Sequence, residues 1–425
     1  VIPELSADQA QLLREIENTT GHFFITGRAG TGKSTLLNAF AESTEKQLAI
    51  TAPTGVAALN VGGQTIHSLF RLPIGLIADH EIHQWGDVRK VLAAIDTLII
   101  DEVSMVNADL MDGIDRALRQ ARRRPISPFG GVQLVLFGDP YQLAPVPASD
   151  PAERAYIADH YRSQWFFDAR VWDEAELTVR ELTEIHRQKD DDFRAMLNAV
   201  RHGRVTQEIA DALNEAGARE VPAEPPITLA SRNDTVNRIN KTELAKLTGK
   251  SLTASAEISG DFGRQLPADE DLELKVGAKV MFLRNDSEQR WVNGTVGTVE
   301  RIANTVWVDV DGESHEVDPV TWEKFRYSYE ATTKKLTREV VAEFTQFPLR
   351  LAWAVTIHKS QGQTYESALI DLGSGAFSPG QTYVALSRIT ALAGLYLSRP
   401  LRPRDIITDA EVERFMSSIA RTEDQ

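Results

Sequence analysis

At 425 residues and 42% apolar content, the chain is long enough for two or three domains, each with its own core. It has no cysteine, which excludes disulfides, thiolate metal sites and thiol catalysis. No apolar run reaches the length of a membrane span and VIPELSADQ does not read as a signal peptide, so the expectation is a soluble, cytoplasmic enzyme. A formal charge of −15 argues against a polyanion spread over the whole surface and leaves room only for a local positive groove. Arg119, Arg122, Arg123 and Arg124, the segment 194–204, and Arg399, Arg402 and Arg404 are candidates for one, although such runs are commonly solvated helix ends.

Taken in chain order, FFIT (23–26) reads as a buried strand and LLNAF after Thr35 as a helix; between them lies GRAGTGKS, Gly27 to Ser34. This is the strand-to-helix setting of a phosphate-binding loop. Gly27, Gly30 and Gly32 let the backbone turn so that amides, including that of Thr31, and a helix N-terminus face the phosphates, with Thr35 opening the helix. Lys33 then reaches the β- and γ-phosphates of ATP and Ser34 holds Mg²⁺. A second strand is predicted over 47–52. A third, over 96–101, ends in Asp101-Glu102, with Asp101 as the outer-sphere partner of Mg²⁺ and Glu102 as the base that orients the attacking water. VQLVLFGD (132–139) is a fourth. It runs into GDPYQL, where Gln142 suits a sensor of the γ-phosphate and Asp139 either restrains the loop or reaches the metal's water shell. Alternating strands and helices over 1–185 predict an α/β parallel sheet.

Beyond that sheet, Arg187 in EIHRQ and Arg388 in YVALSR stand where an arginine from a second lobe could meet charge spreading in phosphoryl transfer. ITLASR (227–232), LRLAWAVT, SALIDL and LYLSR supply the strands of that lobe. LELKVGAKVMFLRND, GTVGTVERI and TVWVDVDG alternate with period two around Asn293-Gly294 and Asp311-Gly312 turns, which predicts a small antiparallel barrel between them.

The ordered set resembles the PIF family of DNA helicases, the 5′→3′ branch of helicase superfamily one that includes RecD-like enzymes. The pieces that carry the resemblance are APTGVAALNVGGQTIHSLF (52–70), PFGGVQLVLFGDPYQLAPV (128–146), LRLAWAVTIHKSQGQT (349–364) and GQTYVALSR (380–388). It implies two RecA-like lobes, a wedge-like insertion at about 71–91 and a Src-homology-type barrel at 268–344. The lobes would be 1–185 and 186–267 with 345–425. It also implies that Gln9 reads the adenine edge and that Gly362 lies near the γ-phosphate. Strand binding falls to Thr54, Gly55, His67 and Ser68 in the first lobe and to Thr356, His358, Lys359 and Ser360 in the second. Trp172 lies in the run before Arg187, where a core aromatic is the plainer reading. His186 stands where the family more usually has an aromatic residue.

The expected activity is ATP- and Mg²⁺-dependent 5′→3′ translocation on single-stranded DNA with unwinding of forked or tailed duplexes, the expected state a monomer. A small-molecule P-loop kinase would explain GKS and Asp101 but not TIHKSQGQT. An ATP-gated single-strand binder with little unwinding is the nearer alternative.

Overall fold

The computed structural model describes residues 5–73, 75–78, 82, 86–148, 150–184, 190–249, 251–263, 266–303, 305–330 and 332–423. Six strands form the first sheet: β1 (Phe23–Gly27), β2 (Leu48–Ala52), β3 (Gln64–Thr65), β4 (Thr97–Ile100), β5 (Gln133–Phe137) and β6 (Thr178–Leu182). They lie in the order β3-β2-β4-β5-β1-β6 and all pair parallel. Four of the six match the predicted strands to within two residues at either end. The other two were not predicted: Gln64–Thr65 is too short to show a period, and TVREL carries charges because β6 is an edge strand.

Register decides where the chemistry emerges. Ile25 lies opposite Phe137 and Ile100 opposite Leu136, so the chain leaves β1, β4 and β5 at the same edge of the sheet. Gly27, Asp101 and Asp139 therefore converge there, the edge at which open parallel sheets bind ligands. Helices cover both faces, and the strands β1, β2, β4 and β5 are accordingly mostly apolar and buried. Phe23, Ile25, Ile99 and Val135 point to one face, against α1 (Ala7–Asn18) and α2 (Lys33–Ser43). Phe24, Leu98, Ile100 and Leu136 point to the other. In α2 the buried residues Leu36, Leu37 and Phe40 recur at helical spacing, and truncating Phe40 to Ala should cost about 3–5 kcal/mol.

A second parallel sheet has the order 354–356, 227–230, 368–371 and 395–397. The four sequence pieces assigned to a second lobe supply its four strands. The antiparallel part is separate: strands Glu313–Val317, Val306–Val310, Val296–Ile302, Lys279–Phe282 and Leu349–Leu351 pair in that order over their own apolar cluster, which includes Phe282, Trp291 and Val308. Burial alternates along Val306–Val310, as period two requires, and Asp311 (φ 53°) and Gly312 (φ 89°) make the expected turn.

A long hairpin, Val320–Glu330 with Lys335–Gln346, reaches back to the first sheet, where Tyr327 Oη accepts from the Ile50 amide at 3.0 Å. The last helix, Ala410–Glu423, follows the second sheet in sequence but packs on the first, with Phe415 stacked on Phe167 at 4.1 Å. Trp172 belongs to this same cluster, edge-on to Phe24 and Phe166, which is the core reading of that residue.

Candidate active site and adjoining groove

The loop after β1 is shaped by backbone that side chains would obstruct. Gly32 caps α2 in the left-handed region at φ 79°. A Cβ on Gly27 would lie 2.6 Å from the Leu182 carbonyl oxygen and 2.7 Å from Thr31 Oγ1. Lys33 Nζ donates to the carbonyls of Gly27 (2.8 Å) and Arg28 (3.0 Å), so its charge lies across the mouth of the loop. Burial lowers its pKa, against the pull of the Asp139, Glu102 and Asp101 carboxylates. Gln9 is held above the loop by its own helix start: its Oε1 accepts from the Ser6 amide at 3.0 Å, and its Nε2 donates to Gly32 O at 3.3 Å.

Asp101 extends the β2–β4 ladder, its amide donating to Thr51 O at 2.9 Å. Glu102 then turns the chain in the left-handed region (φ 51°), a conformation worth roughly 1–3 kcal/mol in a non-glycine residue and concentrated at functional sites. Burial and the adjacent Asp101 carboxylate push the Glu102 pKa up to about 7, with Lys33 and Arg388 pulling the other way. Asp101 is likewise raised, to about 6, by burial. A carboxylate poised near neutrality is what a general base needs.

Asp139 is almost fully buried and committed. Its Oδ1 accepts from Arg201 Nη2 (3.0 Å) and the Tyr141 amide (3.2 Å), its Oδ2 from Gln142 Nε2 (3.3 Å). Of the two readings of Asp139, this geometry matches the restraint of the Gln142 loop. Arg201, from the helix Asp191–Arg201, also lies over the Tyr141 ring at 4.3 Å.

From the part of the chain that carries the second parallel sheet, Gly380 (φ 75°) packs against the carbonyls of Tyr141 and Gln142, and Tyr383 Oη accepts from the Ala29 amide at 3.3 Å. These contacts carry Arg388 into the cleft. It is 1% exposed, donating to Val384 O (3.0 Å), Gln363 O (3.4 Å) and Ser387 Oγ (2.9 Å), and burial works against its charge. Together, Gln9, the loop Ala29–Thr35, Glu102, Gln142, Gly362 and Arg388 line one cleft of about 670 Å³, within the range of small-ligand sites. Arg187 and His186 lie outside the described residues.

A second cavity of about 450 Å³ adjoins it, lined by Thr54, Met105, Trp322, Arg350, His358 and Lys359 among others, with Glu102 common to both. Thr54 caps helix α3 (Gly55–Asn60), accepting from Ala57 N at 3.2 Å. Not all predicted strand residues face this groove. Thr356 Oγ1 accepts from the Lys359 amide and Ser360 Oγ donates to Ile357 O, so these two hydroxyls shape the loop instead. His67 and Ser68 sit on the helix Ile66–Phe70, outside this lining, with Ser68 Oγ accepting from Gln64 Nε2 at 2.8 Å.

The sequence reading overlooked two residues here. Arg350, in the quoted LRLAW, lines the groove with its Nε unpaired, and its charge is the leading cause that lowers the Lys359 pKa, ahead of burial. A cation inside an apolar strand was the available signal. Gln361 carried no signal beyond its place in the motif.

Several arginines of the basic runs are engaged within the protein. Arg119 pairs with Asp115 and Glu174, Arg122 donates to Ala93 O and Ile95 O, Arg201 pairs with Asp139 and Arg399 with Asp405. The positive element of the groove comes from Lys359 and Arg350, neither of which lies in such a run.

A family model described as PIF1-like helicase matches residues 4–211. The ATP-dependent DNA helicase Pif1 of Bdellovibrio bacteriovorus is 35% identical over 429 residues, covering 97% of this chain and 91% of that protein. The human ATP-dependent DNA helicase PIF1 is 34% identical over 99% of this chain, which spans 64% of the human protein. Among solved structures, Bacteroides sp Pif1 in complex with ADP-AlF4 is similar at a TM-score of 0.91 and 34% identity, covering 99% of this chain and 98% of that one. Pif1 helicase from Bacteroides in complex with ADP-AlF3 and ssDNA is similar at 0.71 and 34% identity, covering 98% of each.

Proposed function

Since this chain belongs to the PIF1-like helicase family, we propose that it is an ATP-dependent DNA helicase that moves 5′→3′ along single-stranded DNA and opens forked or tailed duplexes. The observation that carries this reading is the sharing of Glu102 between two adjoining cavities, one lined by the phosphate loop and Arg388, the other by Thr54, His358 and Lys359. Hydrolysis and strand contact therefore meet at one residue.

In the nucleotide cleft, the loop amides and the N-terminus of α2 receive the phosphates of ATP. Lys33 exchanges the two loop carbonyls for phosphate oxygens, Gln142 senses the γ-phosphate, and Glu102 accepts a proton from the attacking water. Arg388 brings positive charge from the second lobe, and Arg187 is assigned the same work by its motif. Gln9 offers its amide to the adenine. No cluster of three His, Cys, Asp or Glu side chains able to hold a metal occurs among the described residues. Mg²⁺ takes few protein ligands and relies on substrate phosphates. Ser34 would hold it, with Asp101 through water, and it would neutralise charge on the β- and γ-oxygens. Closure of the two lobes on ATP and reopening after hydrolysis would drive the stroke.

On the strand side, Thr54 with neighbouring Gly55 and His358 with Lys359 would contact the backbone, joined by Arg350. Thr356 and Ser360 would act through the loop they brace, and His67 and Ser68 from beside the groove. We assign 1–185 to the first lobe, 186–267 with 345–425 to the second, 71–91 to a wedge at the fork and 268–344 to an inserted barrel, whose sheet is completed by Leu349–Leu351 from beyond that boundary. Several of residues 71–91 lie outside the described residues. No helix among the described residues is long and apolar enough to cross a membrane.

Unwinding of duplexes bearing a 5′ tail, with little on 3′-tailed ones, and dependence on both ATP and Mg²⁺ test the reading; preference for the 3′ tail would overturn the direction. A strand-stimulated ATPase that separates no duplex would favour a translocase with little unwinding. Lys33→Ala should abolish most turnover by weakening nucleotide binding, as read by titration with a fluorescent ADP analogue. Lys359→Ala should weaken single-strand binding to a similar degree for all base sequences and reduce the slope of log affinity against log salt by about 0.7, one phosphate's worth on a single strand. An effect confined to particular sequences would contradict a backbone contact.

A further inference from the structure

The loop after the strand Ala354–Thr356 forms part of the wall of both cavities. Lys359, Gln361 and Gln363 line the groove, Gly362 and Thr364 the nucleotide cleft. Gln361 crosses between them. Its Nε2 donates to Glu102 Oε2 at 3.1 Å and to Gln142 Oε1 at 3.4 Å. Those are the base and the γ-phosphate sensor of the proposed hydrolysis, the two groups between which an attacking water must be oriented. The amide nitrogen of Gln361 thus occupies a position with the water's two neighbours. It cannot attack phosphorus, and its hydrogen bond stabilises the charged carboxylate and weakens it as a base.

We propose that Gln361 is a latch on the hydrolytic base: without a strand its amide holds Glu102 and Gln142, and a strand bound at His358 and Lys359 withdraws it. This rests on the ATPase reading above. The mechanical link is short. Gln361 N–H donates to His358 O at 3.2 Å, so both belong to one turn, and Gln363 Nε2 ties the far end of that turn to Asn293 Oδ1 at 3.0 Å. Strand contact at His358 or Lys359 displaces the turn that carries the amide. The arrangement described here also lies nearer to the Bacteroides protein with ADP-AlF4 (TM-score 0.91) than to the form with ADP-AlF3 and ssDNA (0.71), at the same identity.

The test measures steady-state ATPase of the full chain with and without saturating oligothymidylate, for wild type, Gln361→Ala and Gln361→Asn, the second keeping the amide but shortening its reach. Strand-free kcat should rise about tenfold or more in Gln361→Ala, the size set by losing a hydrogen bond to a charged acceptor. Gln361→Asn should fall between it and wild type. KM for ATP should stay within about twofold, so that the stimulation ratio falls through its denominator. A structural role would lower kcat and could not raise it. A strand-free kcat that is unchanged or lower in both variants, with binding of a fluorescent ADP analogue intact, overturns the latch while the wild type's stimulation by the strand preserves the parent reading. A wild type that no strand stimulates overturns both.

Discussion

Glu102→Gln is expected to lower strand-stimulated ATP turnover by roughly 10²–10⁴, the usual worth of a positioned general base, while ATP still binds. The amide keeps the shape and the hydrogen-bonding reach of the side chain but cannot take a proton. Single-turnover hydrolysis alongside nucleotide binding separates the two effects. Turnover within a few-fold of wild type would remove Glu102 from the chemistry.

The same residue sets a pH dependence. Its folded-state pKa is raised to about 7, so the ionised, active base is gained as pH rises through about 7 and lost below it. The acid limb of kcat/KM, which reports the free enzyme, should therefore turn near pH 7, well above an ordinary glutamate. Glu102→Gln should abolish that limb along with the rate. An acid limb near pH 4.5 would mean that burial and Asp101 do not act on Glu102 as the geometry implies.

Arg388→Ala is the second large effect, a fall in turnover of about 10³ or more, toward the range known for arginines that meet transition-state charge. ATP affinity should change far less, because the charge it answers develops during transfer. The guanidinium also donates to Gln363 O and Ser387 Oγ, so stability should drop by about 1–3 kcal/mol when those buried hydrogen bonds are lost. Arg388→Lys should recover stability better than rate, since an ammonium lacks the planar fork. Equal losses in affinity and turnover would identify ordinary ground-state binding.

Local pattern was enough for the first sheet's principal strands, the phosphate loop and the order of the motifs. Each depends on near neighbours: buried strands on continuous apolar runs, the loop on glycines, the turn at Asp311-Gly312 on residues that accept positive φ. Where two strands end at one edge, as β4 and β5 do beside β1, parallel pairing follows from alternation with helices, and so the convergence of Gly27, Asp101 and Asp139 was legible too.

What the sequence could not decide is which charges face each other. Arg201 read as part of a basic run, yet it is buried against Asp139, 62 positions earlier. Arg388 read as an arginine that a second lobe could bring to the phosphates, and only the packing of Gly380 on the Gln142 loop shows it inside the cleft. Nor does local pattern tell which of two hydroxyls that each accept from a backbone amide three residues on also lines the groove, as Thr54 does and Thr356 does not. Motif spelling determined the chemistry, because phosphate binding and hydrolysis demand particular side chains at fixed spacing. Tertiary structure alone determined the partners, because a charge or an amide in a long chain is satisfied by whatever packing brings within about 3 Å of it, and Gln361 meeting Glu102 across 259 positions is such a contact.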